Sequence, residues 1–167
     1  MEKAVLSLGS CMGDSRALLK LAEEELSRLP DTRVAAQAPL YETEAVDVPD
    51  KYAGTIFLNT VVVLETALPC DDLSRAIHAI EDRLGRVRTG ERHAPRTIDI
   101  DLIAYGDVRS NRDDLRLPHP EAARRRFVME PLAEIWPDFV LPGETRTAAQ
   151  IRDSLPLSPA VRQLPTS

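Results

Sequence analysis

Two aspartates, Asp99 and Asp101, stand one residue apart inside the apolar run "RTIDIDLIAYG". Alternate side chains of an extended strand share a face. Both carboxylates therefore point one way, with Thr97 and Ile103 beside them, while Ile98, Ile100 and Leu102 point the other. At a strand rise of about 3.3 Å per residue, the two Cα atoms lie roughly 6–7 Å apart. Carboxylates this close repel, and seating them among apolar neighbours is costly unless a cation meets them. Mg²⁺ fits, because it takes one or two carboxylates and completes its shell with water and substrate phosphates. Arginine is the other cation to consider. Arg96 is near in sequence, but its odd offset from both aspartates starts it on the opposite face.

Just before this strand lies a cluster of five arginines: Arg83, Arg86, Arg88, Arg92 and Arg96. Lysine occurs only as Lys3, Lys20 and Lys51. Guanidinium groups grip phosphate oxygens and carboxylates hold Mg²⁺, which are the usual parts of phosphoryl transfer. Spacing alone does not decide the matter, since an exposed sheet face with hydrated or arginine-paired aspartates has the same pattern. The familiar nucleotide loops are absent: "GSCMGDSR" lacks the G-x-x-x-x-G-K-[ST] spacing, and there is no glycine-rich kinase loop. By themselves the residues reach a Mg²⁺-nucleotide enzyme of unusual type. A formal net charge of −6 argues against general nucleic-acid affinity and favours a small polyanion at the one arginine cluster.

The elements that must position these groups are legible in outline. "KAVLSLG" from Lys3 to Gly9 predicts a mostly buried first strand. A helix of about 15 residues follows "SCMGDSR", with Leu18, Leu19, Ala22, Leu26 and Leu29 at helical spacing and Pro30 beyond it. "TRVAAQAPLYET" (Thr32 to Thr43) predicts a second strand, Glu44 to Gly54 a loop, and "TIFLNTVVVLET" (Thr55 to Thr66) a third strand rich in β-branched residues. Leu73, Ile77, Ile80 and Leu84 predict a helix starting at Pro69 to Asp72 and stopped by Gly85. The aspartate strand comes next. Beyond it, "LRLPHP" is irregular, "RRFVMEPLAEI" helical, Ala148 to Ser154 a short helix, and 155–167 an irregular tail. This order matches the split βαβ pattern: an α+β, ferredoxin-like βαββαβ sandwich with helices on one face of a sheet and extra C-terminal elements. A length of 167 residues fits a single domain spanning 1–167. Cys11 and Cys70 have no metal-ligand spacing, so a reducing cytoplasm is the simplest location, with no secretory leader and no membrane span expected.

The stretch "APRTIDIDLIAYGD" resembles the signature of the 6-hydroxymethyl-7,8-dihydropterin pyrophosphokinases of folate biosynthesis. The resemblance runs in order along most of the chain, through "LSLGSCMGD", "LYETEAV", "FLNTVVVLET", "IEDRLGRVR", "LRLPHP" and "RRFVMEPLAEIWPD". It implies a ferredoxin-like fold and transfer of the β,γ-pyrophosphoryl group of ATP to a pterin hydroxymethyl oxygen, with release of AMP. Asp99 and Asp101 would then hold two Mg²⁺ ions bridging the ATP phosphates, and Arg86 and Arg96 would close over those phosphates. Arg88, Glu81, His119 and Arg125 fall at ATP-contacting positions, as does His78 in place of the usual Gln. Phe57 and Phe127 match the aromatics that sandwich the pterin, Asn59 the side chain that bonds its polar edge, and Thr43 and Val46 its backbone contacts. Stacking between two rings plus an amide that both donates and accepts suits a flat, polar heterocycle. The implied partners are ATP and the reduced pterin, with neither nucleic acid nor membrane. The implied protein is a monomer, and association with another folate-pathway enzyme stays open.

Several positions depart from the family's habit. Cys11 stands where Asn is common, Ala45 and Asp47 replace a Pro and a Gly on the pterin side, and His93 and Ala94 replace a Trp-Gly-like pair. These changes bear on loop stiffness and affinity more than on reaction type. They also give the only support for a non-catalytic pterin- or nucleotide-binding relative. A ferredoxin-like RNA-binding module would need stacking aromatics on its central strands. "KAVLSLG" has none and "TIFLNTVVVLET" has one.

Overall fold

A computed structural model describes residues 1–11, 15–44, 56–85, 98–157 and 160–165. Strand β1 (Glu2–Ser10) leads into helix α1 (Ser15–Ser27), then β2 (Thr32–Gln37), β3 (Tyr41–Glu44) and β4 (Ile56–Thr66). Helix α2 (Cys70–Arg83) and β5 (Asp99–Tyr105) follow, then a hairpin of β6 (Ser110–Arg112) and β7 (Leu115–Leu117). A 3-10 turn (Ala122–Arg124), α3 (Arg126–Ile135), α4 (Ala148–Ser154) and β8 (Val161–Gln163) complete the chain. The main sheet runs β5-β1-β4-β3-β8, with β2 also paired to β4, and every pairing is antiparallel.

Alternation along the strands decides what each face of the sheet meets. Leu6 and Leu8 of β1, Val62 and Leu64 of β4, and Ile98 and Ile100 at β5 pack with Leu19, Ala22 and Leu26 of α1 and Leu73, Ile77 and Ile80 of α2. Val5, Val61, Val63 and Ile103 face the other way and pack with Val128, Met129 and Leu132 of α3 and Ile151 of α4. Each fully buried aliphatic side chain is worth about 1.5–3 kcal/mol, so both layers contribute to stability.

Local chemistry explains the helix ends. Asp71 and Asp72 in the first turn of α2 and Arg83 in its last complement the helix dipole. Gly85, at φ 85°, follows Leu84 in the left-handed conformation that ends the helix, as its position predicted. A capping box starts α4: the Gln150 N–H donates to Thr147 Oγ1 (3.2 Å) and the Thr147 N–H to Gln150 Oε1 (2.9 Å).

Four expectations need correction. Helices cover both faces of the sheet, because the odd-numbered valines of β1 and β4 are as apolar as their even-numbered neighbours. The single second strand is two, interrupted around Pro39, which has no N–H to give to a ladder. "LRLPHP" contributes β7. The tail is not wholly irregular, since Val161–Gln163 pairs with β3.

Candidate active site

Strand register carries the candidate residues to one place. On β5, Asp99 pairs with Gly9 of β1, which pairs with Asn59 of β4, which pairs with Tyr41 of β3. The next row holds Asp101, Ser7 and Val61. Directly paired residues share a face, as do residues two apart on one strand. Asp99, Asp101, Asn59, Phe57 and Thr43, the partner of Phe57, therefore all lie on the face that α3 and α4 cover at its other end. With strands about 4.8 Å apart, the backbones at Asp99 and Asn59 are separated by roughly 10 Å. That gap suits a phosphate chain lying between metal-binding carboxylates and a polar heterocycle.

Asn59 is buried, and its Nδ2 donates to the hydroxyl of Thr43 at 3.0 Å. The hydroxyl thereby fixes the amide with Oδ1 toward β1. A Cβ on Gly9 would sit 3.0 Å from that Oδ1, tight enough that the amide would have to give way by a few tenths of an ångström. Neither role was read from the sequence, where Thr43 figured only through its backbone. A glycine inside a strand is a signal of close backbone approach, and "LSLGS" contained it.

Asp99 and Asp101 are half-buried. Between them, the Ile100 N–H donates to Oε2 of Glu81 at 2.8 Å, while Glu81 Oε1 lies 3.2 Å from Nδ1 of the exposed His78. Glu81 is fully buried on α2. Its carboxylate thus ties α2 to the strand that bears the aspartates.

His119 follows β7 and is tied to β5 by its own N–H, which donates to the Ile103 carbonyl at 2.8 Å. Its Nδ1 accepts the Glu121 N–H at 3.2 Å, which leaves Nε2 as the donor of the neutral ring. Burial pushes the imidazole below its ordinary range, and Arg125 acts in the same direction, against Glu121 and Asp99. A neutral His119 within the electrostatic reach of both Asp99 and Arg125 follows. The Arg125 guanidinium lies 5.6 Å from the centre of the Phe127 ring, a cation–π contact at the start of α3. Phe127 and Phe57 are each half-buried.

The fold thus gathers Thr43, Phe57, Asn59, Asp99 and Asp101 on one sheet face, adds His119, Arg125 and Phe127 from the segments after β7, and brings His78 and Glu81 to the edge of β5. Val46, Arg86, Arg88 and Arg96 lie outside the described residues, as do Ala45, Asp47, His93 and Ala94. Among the described residues no three His, Cys, Asp or Glu side chains converge as a metal cage. A pair of half-buried carboxylates is the donor set that suits Mg²⁺ when substrate phosphates supply further ligands. No helix among the described residues is long and apolar enough to cross a membrane.

Comparison with known proteins shows the family. Residues 5–137 match the sequence profile described as 7,8-dihydro-6-hydroxymethylpterin-pyrophosphokinase (HPPK). The chain is 42% identical over 145 residues to a 2-amino-4-hydroxy-6-hydroxymethyldihydropteridine pyrophosphokinase of Methylorubrum extorquens, covering 87% of this chain and 89% of that protein. It is 36% identical over 142 residues to the protein of the same name from Pseudomonas aeruginosa, covering 85% of each. Its fold is similar to the crystal structure of Plasmodium falciparum HPPK-DHPS wild type with pteroate, at a TM-score of 0.68 and 14% identity. That match covers 91% of this chain and 44% of the Plasmodium chain, so this chain spans less than half of that solved structure.

Proposed function

This chain belongs to the 7,8-dihydro-6-hydroxymethylpterin-pyrophosphokinase family, and we propose from that premise how its residues divide the work. The reaction moves the pyrophosphoryl group of ATP to the hydroxymethyl oxygen of the reduced pterin in folate biosynthesis. The bond formed joins that oxygen to the β-phosphorus, the bond broken joins the β-phosphorus to the α,β-bridging oxygen, and AMP leaves. The hydroxymethyl group gives up its proton in the exchange.

The observation that carries the assignment is the shared sheet face, which sets Asp99 and Asp101 across β1 from Asn59 and Phe57. Asn59 offers its Oδ1 to an N–H of the heterocycle, held in that orientation by the Thr43 hydroxyl. Phe57 and Phe127 stack on the ring, and Val46 adds a backbone contact. Neutral His119 donates from Nε2 to a phosphate oxygen, with Arg125 beside it as a fixed positive charge. Glu81 holds the aspartate strand through Ile100, and His78 extends the nucleotide side of the site. Arg86, Arg88 and Arg96 neutralise the phosphates and exclude water that would otherwise compete as nucleophile. Asp99 and Asp101 would hold Mg²⁺, two ions in the full assignment, which supplies positive charge to the transferring group.

We assign the β1-α1-β2/β3-β4-α2-β5 core to the ferredoxin-like type on its element order and antiparallel sheet. We further propose a monomer in the reducing cytoplasm, where Cys11 and Cys70, neither in a disulfide, would stay reduced. The deciding experiment incubates the protein with ATP, Mg²⁺ and the reduced hydroxymethylpterin and identifies the nucleotide product. AMP formed only with pterin present is the expected result. ADP, or no turnover, refutes the assignment.

A further inference from the structure

The C-terminal part of the chain, beyond the span matched by the family, touches both walls of the proposed pterin site. Arg126, the first residue of α3, lies between Arg125 and Phe127, and only 13% of its side chain is exposed. Its Nη2 donates to the carbonyls of Arg152 (3.0 Å) and Leu155 (3.2 Å), its Nε to the carbonyl of Pro156 (3.1 Å), and its Nη1 to Glu130 Oε2 (3.1 Å). Those carbonyls belong to the last turn of α4 and its exit, where helical partners run out; that of Arg152 also accepts the Leu155 N–H at 3.2 Å. One guanidinium thus fastens the C-terminal segment to the residue beside Phe127.

A second anchor lies on the opposite wall. Val161 pairs with Thr43, Arg162 with Glu42 and Gln163 with Tyr41. The Leu164 N–H donates to the Leu40 carbonyl at 2.9 Å, and Arg162 forms an ion pair with Glu42 at 3.1 Å. Thr43, on the strand so held, is the residue that orients Asn59.

We infer that residues 152–157 and 160–164 act together as a strap that sets the separation between Phe127 on α3 and the Thr43–Asn59–Phe57 wall, and so positions the pterin. Arg126 and β8 are its two fastenings, and both are positioning elements rather than substrate contacts. The inference rests on the assignment of the pterin to those side chains. A strand that merely covered the edge of β3 would influence stability and leave the two substrates equally affected.

Two variants release the strap at opposite ends. Arg126→Gln removes most of its donors. Arg162→Pro removes a ladder N–H, because the Leu164–Leu40 bond makes Arg162–Glu42 the next bonded pair of an antiparallel alternation. The readouts are KM for each substrate, kcat, and equilibrium binding of the pterin, followed by its fluorescence, with a non-hydrolysable ATP analogue present. In each variant the pterin KM and Kd should rise about tenfold, with the ATP KM and kcat changed less than about twofold. Arg126→Lys, which can satisfy some of the carbonyls, should fall between. Unchanged pterin constants in either folded variant overturn the strap, as does equal weakening of both substrates. If one variant does not fold, the other decides; if neither folds cooperatively, the segment is part of the folding core and the inference fails. Formation of AMP by the unaltered protein separates failure of the strap from failure of the functional assignment.

Discussion

One face of one sheet has two different ends. Along β4, Val61 and Val63 belong to the apolar cluster under α3 and α4, while Phe57 and Asn59, on the same side of the same strand, lie outside that cluster, Asn59 buried and Phe57 half-buried. Along β5, Ile103 is under the helices, and Asp101 and Asp99 follow outward on the same face. Between β1 and β4 the pairing runs in one register across the boundary, whereas β5 is bulged there, between its Leu6–Leu102 and Val5–Ala104 pairs. The side chains change from branched aliphatics to carboxylates, an amide and a ring. The covered end supplies stiffness, and the open end uses it to hold polar groups at fixed spacing without their having to find each other.

Substitution at the open end should break catalysis and spare the fold. Asp99→Ala and Asp101→Ala are each expected to lower kcat roughly a thousandfold, with a melting temperature within about 2 °C of the parent. Near-normal turnover in both would remove the carboxylates from the site. At the covered end the result should invert. Leu132→Ala, in the α3 layer, should cost about 2–5 kcal/mol of stability in urea titration, yet leave kcat per folded molecule within about twofold. A loss of activity larger than the loss of folded protein would mean the two ends are not separable.

Gly9→Ala tests the junction between the ends. The added methyl must displace Asn59 Oδ1, which should weaken pterin binding by on the order of 1 kcal/mol, roughly fivefold in Kd, and leave ATP binding as it was. Equal affinity for the pterin would show that the amide is not a ligand. The smallest effect concerns the opposite face of the sheet. Burial pushes the Glu23 carboxyl of α1 up to about 7, against the opposing hydrogen bond from Gln37. Between its ordinary value near 4.5 and that raised value, the folded chain binds more protons than the unfolded one. Stability therefore falls as pH rises through that window and stays lower above it. Glu23→Gln should flatten the difference in urea midpoint between about pH 5 and pH 8; an unaltered difference would place the pH dependence elsewhere.

How much of this could be read from residue order follows from the range of each interaction. The common face of Asp99 and Asp101 is a property of one strand, and Ile98, Ile100 and Leu102 do pack under the helices as alternation requires. The short helix at Ala148–Ser154 was legible because its cap is local, Thr147 with Gln150. Gly9 beside Asn59 was not, since it depends on register between strands fifty residues apart in sequence. Arg126 is one of three consecutive arginines, and nothing in "RRRF" distinguishes the one that turns inward to α4. The second helical layer was missed because period-two reasoning assigns one apolar face to a strand, whereas β1 and β4 are apolar on both over part of their length. For the arginines at 86, 88 and 96 and for Val46, the expectation rests on the family resemblance and awaits mutagenesis.

The bond between Glu81 and the Ile100 N–H has a consequence for solubility. β5 is the outermost strand of the sheet, and an unpaired row of N–H and C=O groups there would template the addition of a strand from another molecule. A buried carboxylate already occupies one of those donors at 2.8 Å, and any incoming strand would have to expel it. The opposite border is β8, three residues long and bearing Arg162, too short and too charged to extend. Two margins of the sheet are thereby guarded against edge-to-edge addition, one by an acid and the other by brevity, while β2, which pairs with β4 off the main path, borders the sheet as well.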